Sequence, residues 1–261
     1  MQTLYLEGPT PLAVLLEGPA LRLRRAGQAD IATPLSRLAG IVVSGNVHWR
    51  AEALGACMDW NIPVTFLDAE GRARGACVTL RRIAWRSNLP ALFERASLVP
   101  DWSGRWADWL RALTRSQIRL LLRRARIRVP DLRPATVTDA CARYAPDQPA
   151  LAADRHAAMQ GLLEARIASR LAREELGPAM LAGSLGGIAP ARDLAAVLAW
   201  RLWPAVWRLQ SYLLRHAGKH RDDVALRRRL VRFFEAEVPA LEKAEQRLFA
   251  ELSAFLAALP E

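Results

Sequence analysis

The sequence predicts an α+β fold, a β-rich N-terminal domain followed by an all-α C-terminal domain. Three patterns carry that prediction. Through residue 80, short apolar runs alternate with Gly- and Pro-bearing punctuation, which is how strands joined by turns read. Beyond residue 88, apolar residues recur at helical spacing over long stretches, the mark of amphipathic helices. Residues 38–75 join both patterns in one strand, helix, strand, hairpin series. The expected division is a β-rich domain over residues 1–80, a linker over 81–88 and a helical domain over 89–261.

Taken in order, Leu4-Tyr5-Leu6 and residues 13–16, 20–24 and 29–33 read as short strands, punctuated by Gly8-Pro9, Gly18-Pro19 and Gly27. Leu21 and Leu23 alternate with Arg22 and Arg24, the period of a half-buried strand. Ile41-Val42-Val43 is a β-branched run typical of a buried strand, and Ser44-Gly45-Asn46 reads as a turn after it. Trp49, Ala53, Leu54, Cys57 and Met58 fall at helical spacing, Asn61 ends that helix, and Val64-Thr65-Phe66-Leu67 is the next strand. A turn at residues 68–71 folds the chain back into residues 74–79. In a strand, helix, strand unit of this length the two flanking strands should be parallel.

In the helical part, Trp102, Trp106, Trp109, Leu110, Leu113, Leu120 and Leu121 share one face of a long helix, closed before Pro130 and Pro134. Residues 131–149 read as loop with a short helix. A helix follows over 151–176, ended by Gly177-Pro178. The glycine-rich 183–187 is a connector without the lysine of a phosphate-binding loop. Residues 193–216 form an apolar helix kinked near Pro204, and one or two helices around Pro239 end the chain. Trp200, Trp203 and Trp207 at i, i+3, i+7 read as core or as a dimer seam. His48 and His156 read as turn and helix-surface histidines.

Hydrophobic residues make up 52% of the chain, enough for a substantial core, and the net charge of +11 calls for a polyanionic partner. Lys219 and Lys243 are the only lysines, so the positive charge is arginine, which suits bidentate phosphate contact. The cysteines, Cys57, Cys77 and Cys141, have no CxxC spacing, which argues against a zinc site or disulfide framework. The N-terminal residues lack a basic signal-peptide segment, and no apolar run approaches the ~18 residues of a membrane span. A cytoplasmic protein with no membrane partner is expected. No nucleophile elbow, kinase signature or dinucleotide fingerprint is present.

The sharpest charge signal is Arg111, Arg115, Arg119 and Arg123, steps of four along one helix, with no Asp or Glu between Asp108 and Asp131. Like charges at that spacing oppose the helix by about 0.2–0.5 kcal/mol per pair. A row kept at that cost makes sense if phosphates neutralise it, and Arg124, Arg126 and Arg128 extend it. The competing reading is a solvated arginine ridge. Arg227, Arg228, Arg229 and Arg232 form a second cluster that Asp222, Asp223 and Glu235 partly offset.

Gly45-Asn46-Val47, Ala53-Leu54, the run from Asn61 through Ile62-Pro63-Val64-Thr65-Phe66-Leu67 to Asp68, and Gly71 with Gly75 form one spaced series. It resembles the CRISPR-associated endonuclease that serves as the spacer-adaptation integrase. The resemblance implies a β-sandwich-like N-terminal domain that dimerises, as a homodimer or with a paralogue, and a helical domain that holds duplex DNA. It also implies a small ferredoxin-like adaptation protein as partner, and Mg2+ or Mn2+ held by a glutamate, a histidine and an acidic residue. The run Gly161-Leu162-Leu163-Glu164-Ala165-Arg166-Ile167-Ala168 resembles the glutamate-bearing helix, which makes Glu164 the implied metal ligand and catalytic residue. His216 and Asp223 stand in the family's order for the other two, with His220, Asp222 and Glu235 beside them, but outside the family's surrounding motif. Ala199-Trp200-Arg201-Leu202-Trp203 occupies the place of an Asn-rich helix that is missing. The sequence therefore reads as a DNA-binding subunit of the adaptation integrase family with a degraded metal site. An active metal-dependent endonuclease that inserts spacers is the alternative, and a protein-interaction scaffold without a DNA role is the third reading.

Overall fold

The computed structural model describes residues 2–68, 71, 73–77, 88–145, 149–177, 187–216 and 223–260. Six strands come first: β1 (Gln2–Glu17), β2 (Ala20–Arg25), β3 (Ile31–Pro34), β4 (Leu38–Trp49), β5 (Val64–Leu67) and β6 (Ala73–Cys77), with helix α1 (Ala51–Asp59) between β4 and β5. Helices α2 (Leu89–Ser97), α3 (Trp102–Ala125), α4 (Pro134–Arg143) and α5 (Pro149–Arg173) follow. Then come α6 (Pro190–Ala199), a 3-10 turn over Trp200–Leu202, α7 (Trp203–Arg215) and α8 (Asp223–Ala257). The α+β prediction holds. Of the expected linker only Asn88 lies among the described residues, and the expected connector at 183–187 lies outside them except for Gly187.

The strands form one sheet in the order β3-β2-β1-β4-β5-β6. β4 and β5 are parallel, as the strand, helix, strand unit requires, and β5–β6 is the expected antiparallel hairpin. The sheet is continuous where a sandwich-like arrangement was implied, because β1 belongs to two groups at once. It pairs antiparallel with β2 through residues 12–17 and parallel with β4 along most of its length.

Two expected breaks are absorbed into strands. Gly8-Pro9 does not end β1, and Ser44-Gly45-Asn46 does not end β4. The ladder is irregular between Gly8 and Leu12, opposite Gly45, whose φ is +86°. Prolines cannot donate to a ladder, so Pro9 and Pro11 sit where pairing lapses, and the chain passes through with a bulge instead of a turn.

Ile41-Val42-Val43 is a continuous apolar run because both faces of the sheet are covered. Ile41 and Val43 join Leu6, Val14, Leu21, Val64, Ala53 and Cys57 in the core beneath α1. Val42 points the other way, into the helical core, where Tyr5 and Leu67 also pack. Each of the buried Leu, Ile and Val side chains contributes roughly 1.5–3 kcal/mol on burial.

Helix α5 lies across β4, β5 and β6 and is fastened to α8 by charge. The Glu245 carboxylate, 1% exposed, accepts from Arg166 at 2.6 Å and faces Arg170 at 3.7 Å, while Glu242 takes the other side of Arg166 at 3.1 Å. Arg170 lies over the Phe249 ring at 4.3 Å, and Arg173 donates to the Ala39 carbonyl on β4.

The apolar segment read as one kinked helix is α6, a 3-10 turn and α7. Pro204 lacks the N–H that would bond back to Trp200, so the turn before it tightens. Trp200 and Trp203 are buried and Trp207 donates to the Cys141 carbonyl at 2.9 Å, so these tryptophans are core residues. Pro239 is carried inside α8, a single helix of 35 residues. The Leu256 and Ala257 carbonyls at its far end accept from Arg95 of α2 at 3.0 and 3.2 Å. Among the described residues no helix is long and apolar enough to cross a membrane.

His156 departs from its surface reading. Its ring stacks on Trp203 at 4.3 Å and 12°, and Nε2 donates to the Ala199 carbonyl at 2.9 Å. Burial pushes its pKa down to about 4, against the opposing effect of that hydrogen bond. The unfolded chain, with a value of about 6.5, therefore binds this proton at a higher pH than the folded one. Stability from this site is complete above pH ~6.5 and falls as the pH drops toward 4, by about 3 kcal/mol at ~1.4 kcal/mol per pKa unit. Urea unfolding across pH 7 to 4 should show this loss, and His156→Phe, which keeps a ring against Trp203, should flatten it. An unchanged pH profile in that variant would overturn the assignment.

Candidate nucleic-acid interface and acidic site

α3 is held by aromatic packing along its inner side. Trp102, Trp106 and Trp109 close on Phe93 and Phe255, with Trp109 and Phe255 stacked at 4.8 Å and 11°. Trp106 is 2% exposed, and its indole N–H donates to Asp193 Oδ2 at 2.8 Å. Ile118, Leu121 and Leu122 bury the second half of the helix. With the inner face fixed, the outer face presents Arg111, Arg115, Arg119 and Arg123 to solvent, and Arg126 and Arg128 just beyond the helix are exposed as well.

Arg111 is bound to Asp108 one turn back. No carboxylate among the described residues pairs with Arg115, Arg119, Arg123, Arg126 or Arg128. Arg126 occupies the left-handed position that closes α3, φ +55°, a place where glycine is more usual.

Arg124 does not continue this row. At about 100° per residue it shares a side with Gln117, Leu120 and Leu121. Together these four line a cavity between α3, the 3-10 turn, α7 and α8.

The second cluster is dispersed. Arg227 faces Glu7 at 3.6 Å, Arg229 lies over the Tyr212 ring at 4.9 Å, and the Arg228 side chain is outside the described set.

Glu164 sits in the middle of α5, half-buried. Burial raises its pKa, and the nearby carboxylates Asp193 and Asp68 add to that, while Arg192 opposes it. Arg170, later on the same helix, is turned to Glu245. Asp193 is already committed: Oδ2 accepts both the Trp106 indole and the Ala189 backbone N–H, the latter at 3.2 Å, where it closes the first turn of α6.

His216 ends α7, stacked on Tyr212 at 4.3 Å, with Nδ1 donating to the Tyr212 carbonyl at 2.8 Å. Since a carbonyl only accepts, the neutral ring carries its proton on Nδ1 and its lone pair on Nε2. That is the form a metal-binding histidine adopts. Asp223 is the first residue of α8, and its side chain is outside the described set. The charged groups acting on Glu164 thus come from α6 and the end of β5, and His216 is not among them. Among the described residues no three His, Cys, Asp or Glu side chains are arranged to hold a metal ion.

Two arginine groups were not singled out from the sequence. Arg166, Arg170 and Arg173 recur at i, i+4, i+7, a spacing visible in the sequence as one helix face. Arg201 meets Arg124 only because the 3-10 turn packs beside the end of α3, and no local pattern announces that.

Because Glu164 is held above the usual carboxylate range, its charged form is disfavoured in the folded chain. Glu164→Gln should therefore leave the denaturation midpoint unchanged or raise it. A clear destabilisation would mean that the carboxylate is engaged in a stabilising ion pair.

A family model described as CRISPR associated protein Cas1 matches residues 10–154. Among solved structures, the chain is similar to a CAS1 protein from Thermotoga maritima, at 14% identity and TM-score 0.72, covering 100% of this chain and 99% of that one. It is also similar to a casposase bound to its integration product, at 14% identity and TM-score 0.60, covering 90% and 82%. A third similar structure is a TtCas1–DNA complex, at 16% identity and TM-score 0.57, covering 99% and 91%. No curated protein matches the chain. At these identities the structural likeness establishes the fold.

Proposed function

This chain belongs to the CRISPR associated protein Cas1 family, and on that premise we propose that it holds duplex DNA along the outer face of α3 as a subunit of a spacer-adaptation integrase. The observation that carries this reading is the exposed row Arg115, Arg119 and Arg123, which no carboxylate among the described residues neutralises. Arg111 and Arg126 stand at its two ends. A polyanion relieves the repulsion along the helix and releases condensed counterions as it binds. One similar solved structure contains DNA, and another is a Cas6-RT-Cas1–Cas2 complex.

We assign residues 1–80 to dimerisation, as a homodimer or with a paralogue. Residues 89–261 grip DNA, and a small ferredoxin-like adaptation protein is the partner. The metal site we read as degraded. The family-model match ends at residue 154, before Glu164, and Asp193, one of the two carboxylates that act on Glu164, already accepts from Trp106 and Ala189. Were a Mg2+ or Mn2+ ion bound, it would polarise a scissile phosphate. Glu164 is the residue we would place on it, with His216 and Asp223 as the catalytic companions the family order implies.

Two measurements test this. The double variant Arg115→Ala/Arg119→Ala should weaken duplex binding, and its log K against log[salt] plot should be shallower by about 2, at roughly 0.9 for each phosphate no longer neutralised. An unaltered slope would leave the row a solvated ridge. In a nicking and half-site joining assay with Mn2+, the degraded-site reading expects no activity that depends on Glu164. Activity that disappears in Glu164→Ala would establish the active integrase instead.

A further inference from the structure

On the other side of α3 from the arginine row, a cavity of about 430 Å3 opens between α3, the 3-10 turn, α7 and α8. That volume falls in the range of about 300–1,000 Å3 found for small-ligand sites. Its lining is rich in arginine. Arg124, Arg201 and Arg208 reach it from three different elements, and Glu237 is the one carboxylate among the lining residues. Glu237 is already closed on Arg208. No carboxylate among the described residues pairs with Arg124 or Arg201.

Arg201 is the central group. It is half-buried, and its Nε donates to Gln117 Oε1 at 2.9 Å. This bond fixes the plane of the guanidinium and leaves both terminal nitrogens without an acceptor among the described residues. Burial and the neighbouring charges of Arg124 and Arg247 all disfavour its cationic form. A guanidinium cannot answer by losing its proton, so the cluster lacks an anion. Two adjacent terminal N–H groups held in one plane match two oxygens of a phosphate. Beside the arginines the lining is apolar, with Pro204, Trp207, Leu120 and Leu241. A cavity lined by both forked cations and an indole suits a ring-bearing phosphate.

We infer that this pocket binds a nucleotide, with its phosphate on Arg201 and Arg124 and its base against the Trp207–Pro204 wall. Two sources offer that chemistry, a free nucleotide and a nucleotide unit of a single strand. The site is separate from the duplex-gripping row, since the residues of α3 that line it occupy a different side of the helix from Arg115 and Arg119.

The test is titration of the full chain with 5′-AMP, with adenosine, and with a 5′-phosphorylated single-stranded oligonucleotide. 5′-AMP should bind and adenosine should not. Arg201→Gln should weaken 5′-AMP at least tenfold. Glu237→Gln removes the only negative charge in the lining and frees Arg208, so it should tighten 5′-AMP several-fold, a gain that misfolding cannot produce. Competition by the oligonucleotide that depends on Arg201 identifies a strand as the source, and its absence identifies the free nucleotide. Failure of both 5′-AMP and the oligonucleotide to bind, or 5′-AMP binding that neither substitution changes, would overturn the inference. The Arg115→Ala/Arg119→Ala variant should titrate 5′-AMP normally, so failure of the duplex reading and failure of this one give different results.

Discussion

The hydrogen bond from the Trp106 indole to Asp193 determines which way the arginines face. A buried donor left unmade costs about 1–3 kcal/mol, so rotation of α3 about its axis is opposed by that bond and by the surrounding Trp102, Trp109, Phe93 and Phe255 rings. Asp193 is in turn fixed by closing the first turn of α6. A side chain on one helix thus ties two helix starts together. The outward direction of Arg115, Arg119 and Arg123 follows from what is pinned on the inside.

The acidic residues follow a complementary logic. Glu245, Glu242, Glu237 and Asp193 each face an arginine or a buried donor within the chain. These four carboxylates join elements of the helical part, while Arg115, Arg119 and Arg123 along the outer face of α3 and Arg124 and Arg201 in the cavity behind it have no such partner among the described residues. A chain of net charge +11 could spread its excess evenly over the surface. Here unpaired guanidinium groups line one face of α3 and reach the cavity behind it, and this local grouping, more than the total, carries the functional reading.

Much of this could be read from residue order alone. Ile41-Val42-Val43 announced a strand covered on both faces, the Leu38 to Gly75 series gave the parallel pair, and the tryptophan spacing gave the inner face of α3. Local signals misled where two elements met side by side. Gly8-Pro9 and Ser44-Gly45-Asn46 each look like a break, yet they lie opposite one another, and paired irregularities let both strands continue. Arg124 looks like one more member of an arginine run until the helical rotation is counted. Arg201 lies 77 positions after it (201 − 124), and their proximity depends on tertiary packing that no sequence window contains. Glu164 was legible as a helix residue, and its surroundings were not, because Asp68 and Arg192 come from other elements.

Helix α8 shapes how the chain comes into being. Its 35 residues, about 50 Å at 1.5 Å per residue, run from Arg227 beside Glu7 to Phe255 in the tryptophan cluster. Its final carbonyls meet Arg95, 161 positions earlier. During synthesis the preceding helices therefore emerge with their common seam uncovered, and they acquire this wall only when α8 has left the ribosome. Until then the helical part stays open along one side, like a barrel that lacks a stave.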